Sequence, residues 1–409
     1  MTGTTSGTSS GSASGSAPND AVIVSAVRTA IGDGYKGALT NVSIHQLANT
    51  VVAEALKRSG VSAEDIDDLV LGEVLHGGGC IARHVAVELG LPVDTPGLAV
   101  QRQCATGMTA VTVAAADIRA GMTHAAIAGG VAQMTQSPTS YMASPLPWRP
   151  QTQWLSPSHP DRDDAPNMNM MITVGENTAE AVGVTREEMD DWALGSHRKA
   201  IAAIDGGRFV DEIIGVEVPG VGGTTVFDTD EHPRRDSSAE KLASLRVMSG
   251  RQPGTITAGN SSSVNDGAAA LVVTSRAYAE AHGLTPLATI RSWAAVGVDP
   301  KDTGLAPTIA IPKALARGGM TLDDVDLIEI NEAFASMTVG TIRVLGLDPE
   351  RVNVNGGAVA LGHPVACSGA RLLVTLTHEL RRRGGGVGVA TLCAGGGMGM
   401  ATVVEVDAP

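Results

Sequence analysis

The sequence predicts an α/β protein of two similar halves, the first carrying a long insertion. Three observations predict it. Apolar runs of strand length alternate with stretches of helical periodicity from Ala21 onward, the mark of a layered α/β chain. That alternation stops near Ser137 and resumes after about Gly254. What resumes echoes what came before over about 100 residues, a span that suits a duplicated domain and not a solenoid. Composition sets the style of the core. Of 409 residues, 43% are apolar and 50 are Gly, against 4 Trp, 3 Tyr and 3 Phe. Small and branched side chains must therefore pack closely. The apolar fraction excludes a disordered chain, and the lack of a three-residue Gly period excludes collagen.

Along the chain, residues 1–19 read as a disordered tail of Thr, Gly, Ser and Ala, without the basic and apolar regions of a signal peptide. Ala21 to Val27 is a strand. Gly32-Asp-Gly-Tyr-Lys-Gly37 has dinucleotide-type glycine spacing, but no helix opens there, so it reads as a loop. His45 to Ser59 has helical periodicity, and Asp68 to Leu71 is a buried strand. Cys104 to Gly121 is an Ala-rich helix, and Ala125 to Ala128 is a strand that ends in Gly129-Gly130. Residues 137–169 form a long Pro-rich loop with Trp148 and Trp154. A helix opened by Thr185-Arg-Glu-Glu188 follows, in the pattern of a capping box. These boundaries divide the chain into a tail (1–19), a first half (20–136, completed by about 255–285), an inserted loop domain (137–254) and a second half (286–409). The echo is concrete: residues 65–75 resemble residues 324–334. Cys104 opens a helix as Cys367-Ser-Gly369 opens another, and each helix precedes a strand ending in glycines.

Three clusters could carry chemistry. In Gln101-Arg-Gln-Cys104-Ala-Thr-Gly-Met108, a Cys at a helix start lies in a field that favours thiolate. A buried structural Cys is the competing reading. In the segment from Asn353 to Gly369, His363 is fixed between Gly362 and Pro364 and could serve as base toward a thiol. Equally, it could be hydrogen-bonded for loop structure. In Thr391-Leu-Cys393-Ala-Gly-Gly-Gly-Met-Gly399, a strand delivers a Cys into glycines whose amides could form an oxyanion hole. Read alone, this is a Gly-rich turn.

Together these motifs resemble those of the thiolase family, which makes or cleaves 3-ketoacyl-CoA. Ala26-Val-Arg-Thr-Ala-Ile-Gly32, Thr257 to Gly267, Asn331-Glu-Ala-Phe334 and Trp293 to Pro300 extend the resemblance from about Ala21 to Val406. It implies a duplicated α-β-α-β-α layered fold with an inserted loop domain. It implies Cys104 as nucleophile, His363 as its base and Cys393 as the acid/base at the substrate α-carbon. One oxyanion hole would come from His363 and a water held by Asn331, the other from the amides of Cys104 and Gly395. Arg234, Ala258, Ser262, Met171, Ala333 and Phe334 match family positions near CoA and the acyl group. Met170 stands where acetoacetyl-specific members tend to have His, Ser263 and Ala366 replace frequent glycines, and residues 145–169 have little family character. These departures bear on acyl length.

The resemblance implies no cofactor and no metal, CoA and acyl-CoA being substrates, and a homodimer or homotetramer. A net charge of −14 argues against nucleic acid. No apolar run reaches membrane-spanning length. Four cysteines without a framework, two of them (Cys80 and Cys367) read as structural, suggest a reducing, cytoplasmic setting. Condensation of two acetyl-CoA to acetoacetyl-CoA, or its reversal, is the expected reaction. Degradative cleavage of longer 3-ketoacyl-CoA is the alternative. A non-catalytic thiolase-like protein should have lost one of Cys104, His363 or Cys393, and a condensing synthase of fatty-acid type would carry a second His where this chain has Cys393.

Overall fold

The computed structural model describes residues 17–408 apart from residues 78, 144, 145, 147, 149, 150, 169 and 221. In chain order the first half supplies β1 (Ala21–Thr29), α1 (Ile44–Ser59), β2 (Asp68–Gly72), α2 (Ile81–Glu88), β3 (Leu98–Val100), α3 (Thr106–Arg119), β4 (Ala125–Gln133) and, after the insertion, β5 (Asn265–Ser275). Helices α4 (Met170–Val182) and α5 (Arg186–Asp205) belong to the insertion. The second half supplies β6 (Ala288–Gly297), α6 (Pro307–Arg317), β7 (Leu327–Ile330), α7 (Ala335–Leu345), the short α8 (Ala358–Leu361), α9 (Ser368–Arg382), β8 (Gly386–Ala394) and β9 (Met398–Val406).

The strands join in one sheet, in the order β7-β8-β9-β6-β1-β5-β4-β2-β3. The duplication is visible in the pairing. From β1 outward the ladder is antiparallel to β5, antiparallel to β4, then parallel to β2. From β6 outward it is antiparallel to β9, antiparallel to β8, then parallel to β7. Within the sheet the halves join through a short β1–β6 ladder, Val22 with Thr289 and Ile23 with Ala288. The insertion lies between β4 and β5. In the second half the same place, between β8 and β9, holds only residues 395–397.

Parallel neighbours need a crossover, and a helix is the usual one. Here α3 and α9 are those crossovers, and they pack against each other as well as on the strands, forming the middle layer. Helices α1 and α2 cover the outer side of the first half and α6 that of the second. Helix α1 shows how local sequence fixes these elements. Ser43 caps its first turn by accepting from Gln46 N, Leu47, Ala48, Val51, Val52 and Ala55 share its buried face, and Gly60 ends it at φ 72°. Helix α5 opens with the expected capping box of Thr185 and Glu188.

Four expectations need correction or extension. The expected tail over 1–19 lies outside the described residues for 1–16, but residues 17–19 are part of the folded body, where Pro18 O accepts from Ala277 N at 2.9 Å. Strand β4 does not end at Ala128. It continues through Gly129 and Gly130 to Gln133, because these glycines serve close approach and not termination. An added Cβ on Gly130 would lie 2.0 Å from the Ala366 carbonyl oxygen. The two halves share one sheet path, which no local pattern foretold. The Pro-rich loop contains a two-stranded ribbon, Tyr141–Met142 with Thr152–Gln153.

The contact at Gly130 generates a prediction. Gly130→Ala should lower unfolding free energy by about 3 kcal/mol, as forced overpacking does. At Gly195, inside α5, nothing lies within 4 Å of an added Cβ. There the same change should raise stability by about 0.8 kcal/mol. Urea denaturation of the two variants measures both, and equal effects would contradict the packing.

Candidate active site

Cys104 lies two residues before α3, and Gln103 before it adopts φ 47°, a left-handed conformation for a non-glycine residue. The sequence expectation was a thiolate-favouring position. The structure corrects its balance: Cys104 is buried, and burial pushes its thiol up to about 11, while hydrogen bonds from the Gly395 amide and its own amide pull in the other direction. The field exists, but desolvation outweighs it. Cys393, at the end of β8, is also buried. Burial and the neighbouring Cys104 raise its thiol well above the ordinary value. The two sulfurs and the Gly395 amide thus share one enclosed place.

His363 follows α8 and precedes α9. Its Nδ1 is 2.6 Å from Ser368 Oγ, and Ser368 Oγ donates to Pro364 O at 3.0 Å. Since the hydroxyl hydrogen is committed to Pro364, Nδ1–H must be the donor to Ser368. Nε2 then carries the lone pair and accepts from Asn331 Nδ2 at 3.4 Å. The His363 backbone N–H donates to Asn265 Oδ1 at 2.9 Å. Burial, aided by Arg371, lowers its pKa to about 3, so the ring is a neutral imidazole. Asn331 Oδ1 is buried and finds no hydrogen-bond partner among the described residues.

The residues expected near CoA fall into a connected arrangement. Arg234 and Ala258 line a cleft of about 360 Å³ together with His197, His232, Lys241 and Leu245. From Ala258 the chain runs inward. Ser262 N and Oγ both donate to Ala333 O, at 3.0 and 3.2 Å. Ser261 bridges to Phe334, Val264 bridges to His363, and Asn265 holds the His363 amide. One continuous segment therefore links the cleft to the imidazole. Met171 and Phe334 join Cys393 in a common apolar cluster with Ala333 and Met170. Met170 is the more buried of the two adjacent methionines. Cys367 is buried in the main core, and Cys80 is half-buried with its thiol donating to Gly97 O at 3.3 Å. Expected contributions of residues 144, 145, 147, 149, 150 and 169 fall outside the described residues.

Sequence reasoning missed four groups. Ser368 and Asn265 lie inside motifs that were singled out, but their partners come from chain remote or folded back. Glu332 is fully buried and accepts from Trp192 Nε1, Ser196 Oγ, Asn353 Nδ2 and Val359 N at 2.8 to 3.0 Å. Its signal was a carboxylate beside Asn331 in an otherwise apolar stretch. Met337 gave no signal in the sequence, since a Met on an apolar helix face is usually core.

Among the described residues, no group of three or more His, Cys, Asp or Glu could hold a metal ion, and no helix is long and apolar enough to cross a membrane.

Comparison with known proteins adds to this geometry. The family model "Thiolase, N-terminal domain" matches residues 21–277, and "Thiolase, C-terminal domain" matches residues 284–406. An acetyl-CoA acetyltransferase of Pseudomonas aeruginosa is 44% identical over 393 residues, covering 95% of this chain and 100% of that protein. The crystal structure of the Bacillus anthracis acetyl-CoA acetyltransferase superposes with a TM-score of 0.88 at 42% identity, over 95% of this chain and 98% of that one. Human mitochondrial 3-ketoacyl-CoA thiolase also gives 0.88, at 35% identity, over 95% and 100% of the two chains.

The neutral imidazole has a consequence for stability. Unfolded, His363 binds a proton as pH falls through about 6.5. Folded, it does not until about 3. Its contribution is therefore complete above 6.5 and is lost progressively below it. Replacing His363→Asn should make unfolding free energy less steep in pH between 6 and 4, by about 1.4 kcal/mol per pH unit. Urea midpoints across that range test this, and an unchanged slope would contradict a neutral buried His363.

Proposed function

The chain belongs to the thiolase family and is an acyltransferase, and from that premise we propose how its own residues do the work. The reaction is the condensation of two acetyl-CoA to acetoacetyl-CoA and CoA, or the reverse thiolysis. The observation that supports this reading is the pair of neighbouring buried thiols, Cys104 and Cys393, with the Gly395 amide directed at Cys104.

Cys104 attacks the thioester carbonyl, and His363 Nε2 takes the thiol proton. The lone pair on Nε2 makes it the base. The Gly395 and Cys104 amides, which now point at sulfur, stabilise the thioester oxygen as negative charge develops there. CoA leaves with the proton from His363. A second acetyl-CoA then enters. Cys393 first passes its thiol proton to His363, which is neutral again once CoA has left. Its sulfur then takes the α-proton, so a C–H bond breaks and an S–H bond forms. The resulting carbanion attacks acyl-Cys104 and releases acetoacetyl-CoA and the Cys104 sulfur, which recovers the proton from His363. Across the cycle, the proton lost from carbon replaces the one that left on CoA. The unpartnered Asn331 Oδ1 could accept from a water whose other hydrogen serves the second thioester oxygen.

Arg234 and Lys241 in the cleft are suited to the phosphates of CoA, and the segment from Ala258 to Ser262 is suited to its pantetheine arm. Met171, Ala333 and Phe334 would border the acyl group. The crowding of Met170, Met171 and Phe334 around Cys393 supports short chains. A homodimer or homotetramer is supported by edge strand β3, with exposed Val87, Val93 and Leu98 on and beside it. Four free thiols support a cytoplasmic location.

Two measurements test this. With free CoA present, acetoacetyl-CoA should be cleaved faster than a longer 3-ketoacyl-CoA, and equal or better turnover of the longer one would reverse the short-chain assignment. Intact-mass spectrometry after acetyl-CoA should show one acetyl group on the wild type and none on Cys104→Ala. An adduct retained by the variant would sink the nucleophile assignment.

A further inference from the structure

Cys393 has a neighbour that the mechanism above does not use. Its Sγ lies 3.3 Å from the Met337 Sδ, with the thiol as donor. We propose that Met337 is a positioning residue, whose thioether accepts the Cys393 S–H and so sets the direction in which that thiol holds its proton. The proposal rests on the reading of Cys393 as the acid/base.

The geometry supports it from three sides. Both residues are 1% exposed, and the cluster around them is apolar, with Val174, Ile256 and Phe334. Among the described residues, Met337 is the one acceptor that the Cys393 S–H finds. Met337 is itself clamped. Its Cγ would lie 3.0 Å from a Cβ added to Gly304, and the same Cβ would lie 2.1 Å from Thr178 Oγ1, so the flexible thioether has little room to turn away. A thioether can accept a hydrogen bond but cannot donate one. It therefore gives the S–H one direction, and it assists proton transfer to the Cys393 sulfur by holding the S–H that this transfer forms.

In the condensing direction, Cys393 first gives its proton to the neutral His363, its sulfur then takes the α-proton, the electron pair stays on carbon, and the new S–H turns onto Met337. The proton is then directed away from the carbanion while that carbanion attacks acyl-Cys104. In the reverse direction the S–H leaves Met337 and its proton passes to the carbanion of the departing acetyl-CoA.

The test separates the two half-reactions. Exchange of acetyl-CoA methyl hydrogens for solvent deuterium reports Cys393, and acetylation of Cys104 reports the nucleophile. Met337→Leu keeps the bulk and removes the acceptor. It should slow deuterium exchange about fivefold, the size of one lost hydrogen bond, and leave the rate of Cys104 acetylation unchanged. Met337→Gln returns an acceptor oxygen on a side chain of similar length and should recover most of the exchange rate. The acetylated fraction counts folded sites, so a partly misfolded variant still gives a rate per competent site. Unaltered exchange in Met337→Leu overturns the proposal. So does equal slowing of both half-reactions, or slowing in the Gln variant as severe as in the Leu variant, since each of these means packing alone. Cys393→Ala is the separate control. Exchange that persists in it would refute the acid/base reading of Cys393, whatever Met337 does.

Discussion

Two crossover helices meet end to end with almost no side chain between them. A Cβ added at Gly107, in the first turn of α3, would lie 2.7 Å from the Ala366 carbonyl oxygen. One added at Gly369, in the first turn of α9, would lie 2.6 Å from the Met108 amide nitrogen. This mutual approach sets where everything else can be. Cys104 precedes one helix and His363 the other, so pressing the two N-termini together carries the proposed nucleophile and its proposed base inward from different halves of the chain. Gly130, inside β4, joins the same contact, because it faces Ala366 as well. Backbone approach at this distance is available only to glycine, and it requires that the neighbouring core residues be small. The helix α3 face of Ala110, Ala114 and Ala115 meets that need.

Buried polar groups then tie the insertion to this duplicated core. Arg28, at the end of β1, is fully buried and pairs with Asp230 through two parallel hydrogen bonds of 2.8 and 2.9 Å, and with Glu212 at 2.7 Å. Removing one partner of such a pair typically costs about 3–5 kcal/mol, because the remaining charge stays buried. Glu332 does the same on the other side. It gathers Trp192 and Ser196 from α5, Asn353 from the loop between α7 and α8, and the start of α8 that leads to His363. The neighbour of Glu332 in sequence is Asn331, so its four hydrogen bonds also fix the backbone that presents the Asn331 amide to the imidazole. The insertion is thus not an appendage to the site. Its helices form part of the frame that holds the two catalytic loops in register.

The sequence displayed much of this and hid the rest for identifiable reasons. Strand and helix alternation, the repeat and the Thr185 cap are local patterns, and local patterns are readable. The three Gly-rich motifs were legible because Cys and His are rare and their settings unusual. Three things were not legible. The union of the halves through β1 and β6 rests on two residue pairs with no distinctive side chains. Gly129 and Gly130 looked like a strand terminus, since a glycine required by a distant carbonyl is indistinguishable in sequence from one that ends an element. The protonation of Cys104 was misjudged because helix position is local while burial is not. A helix N-terminus offers a thiolate about 0.3–1 kcal/mol when exposed, which enclosure exceeds.

That reversal matters for how the site works. A low-pKa thiol would keep a reactive anion in place between substrates. Here both sulfurs are raised by burial and the imidazole is lowered by it, so the resident state is three neutral groups in contact with few charges. Charge can appear only when something arrives to share it. A thioester supplies a carbonyl oxygen, and the Gly395 amide that now faces the Cys104 sulfur is the donor ready for it. In the proposed mechanism the proton leaving sulfur passes to Nε2, and the opposite nitrogen is already held by Ser368, so the ring keeps its orientation. Burial, which raises both thiols and lowers the imidazole, therefore favours a proton that leaves sulfur as the new sulfur–carbon bond forms.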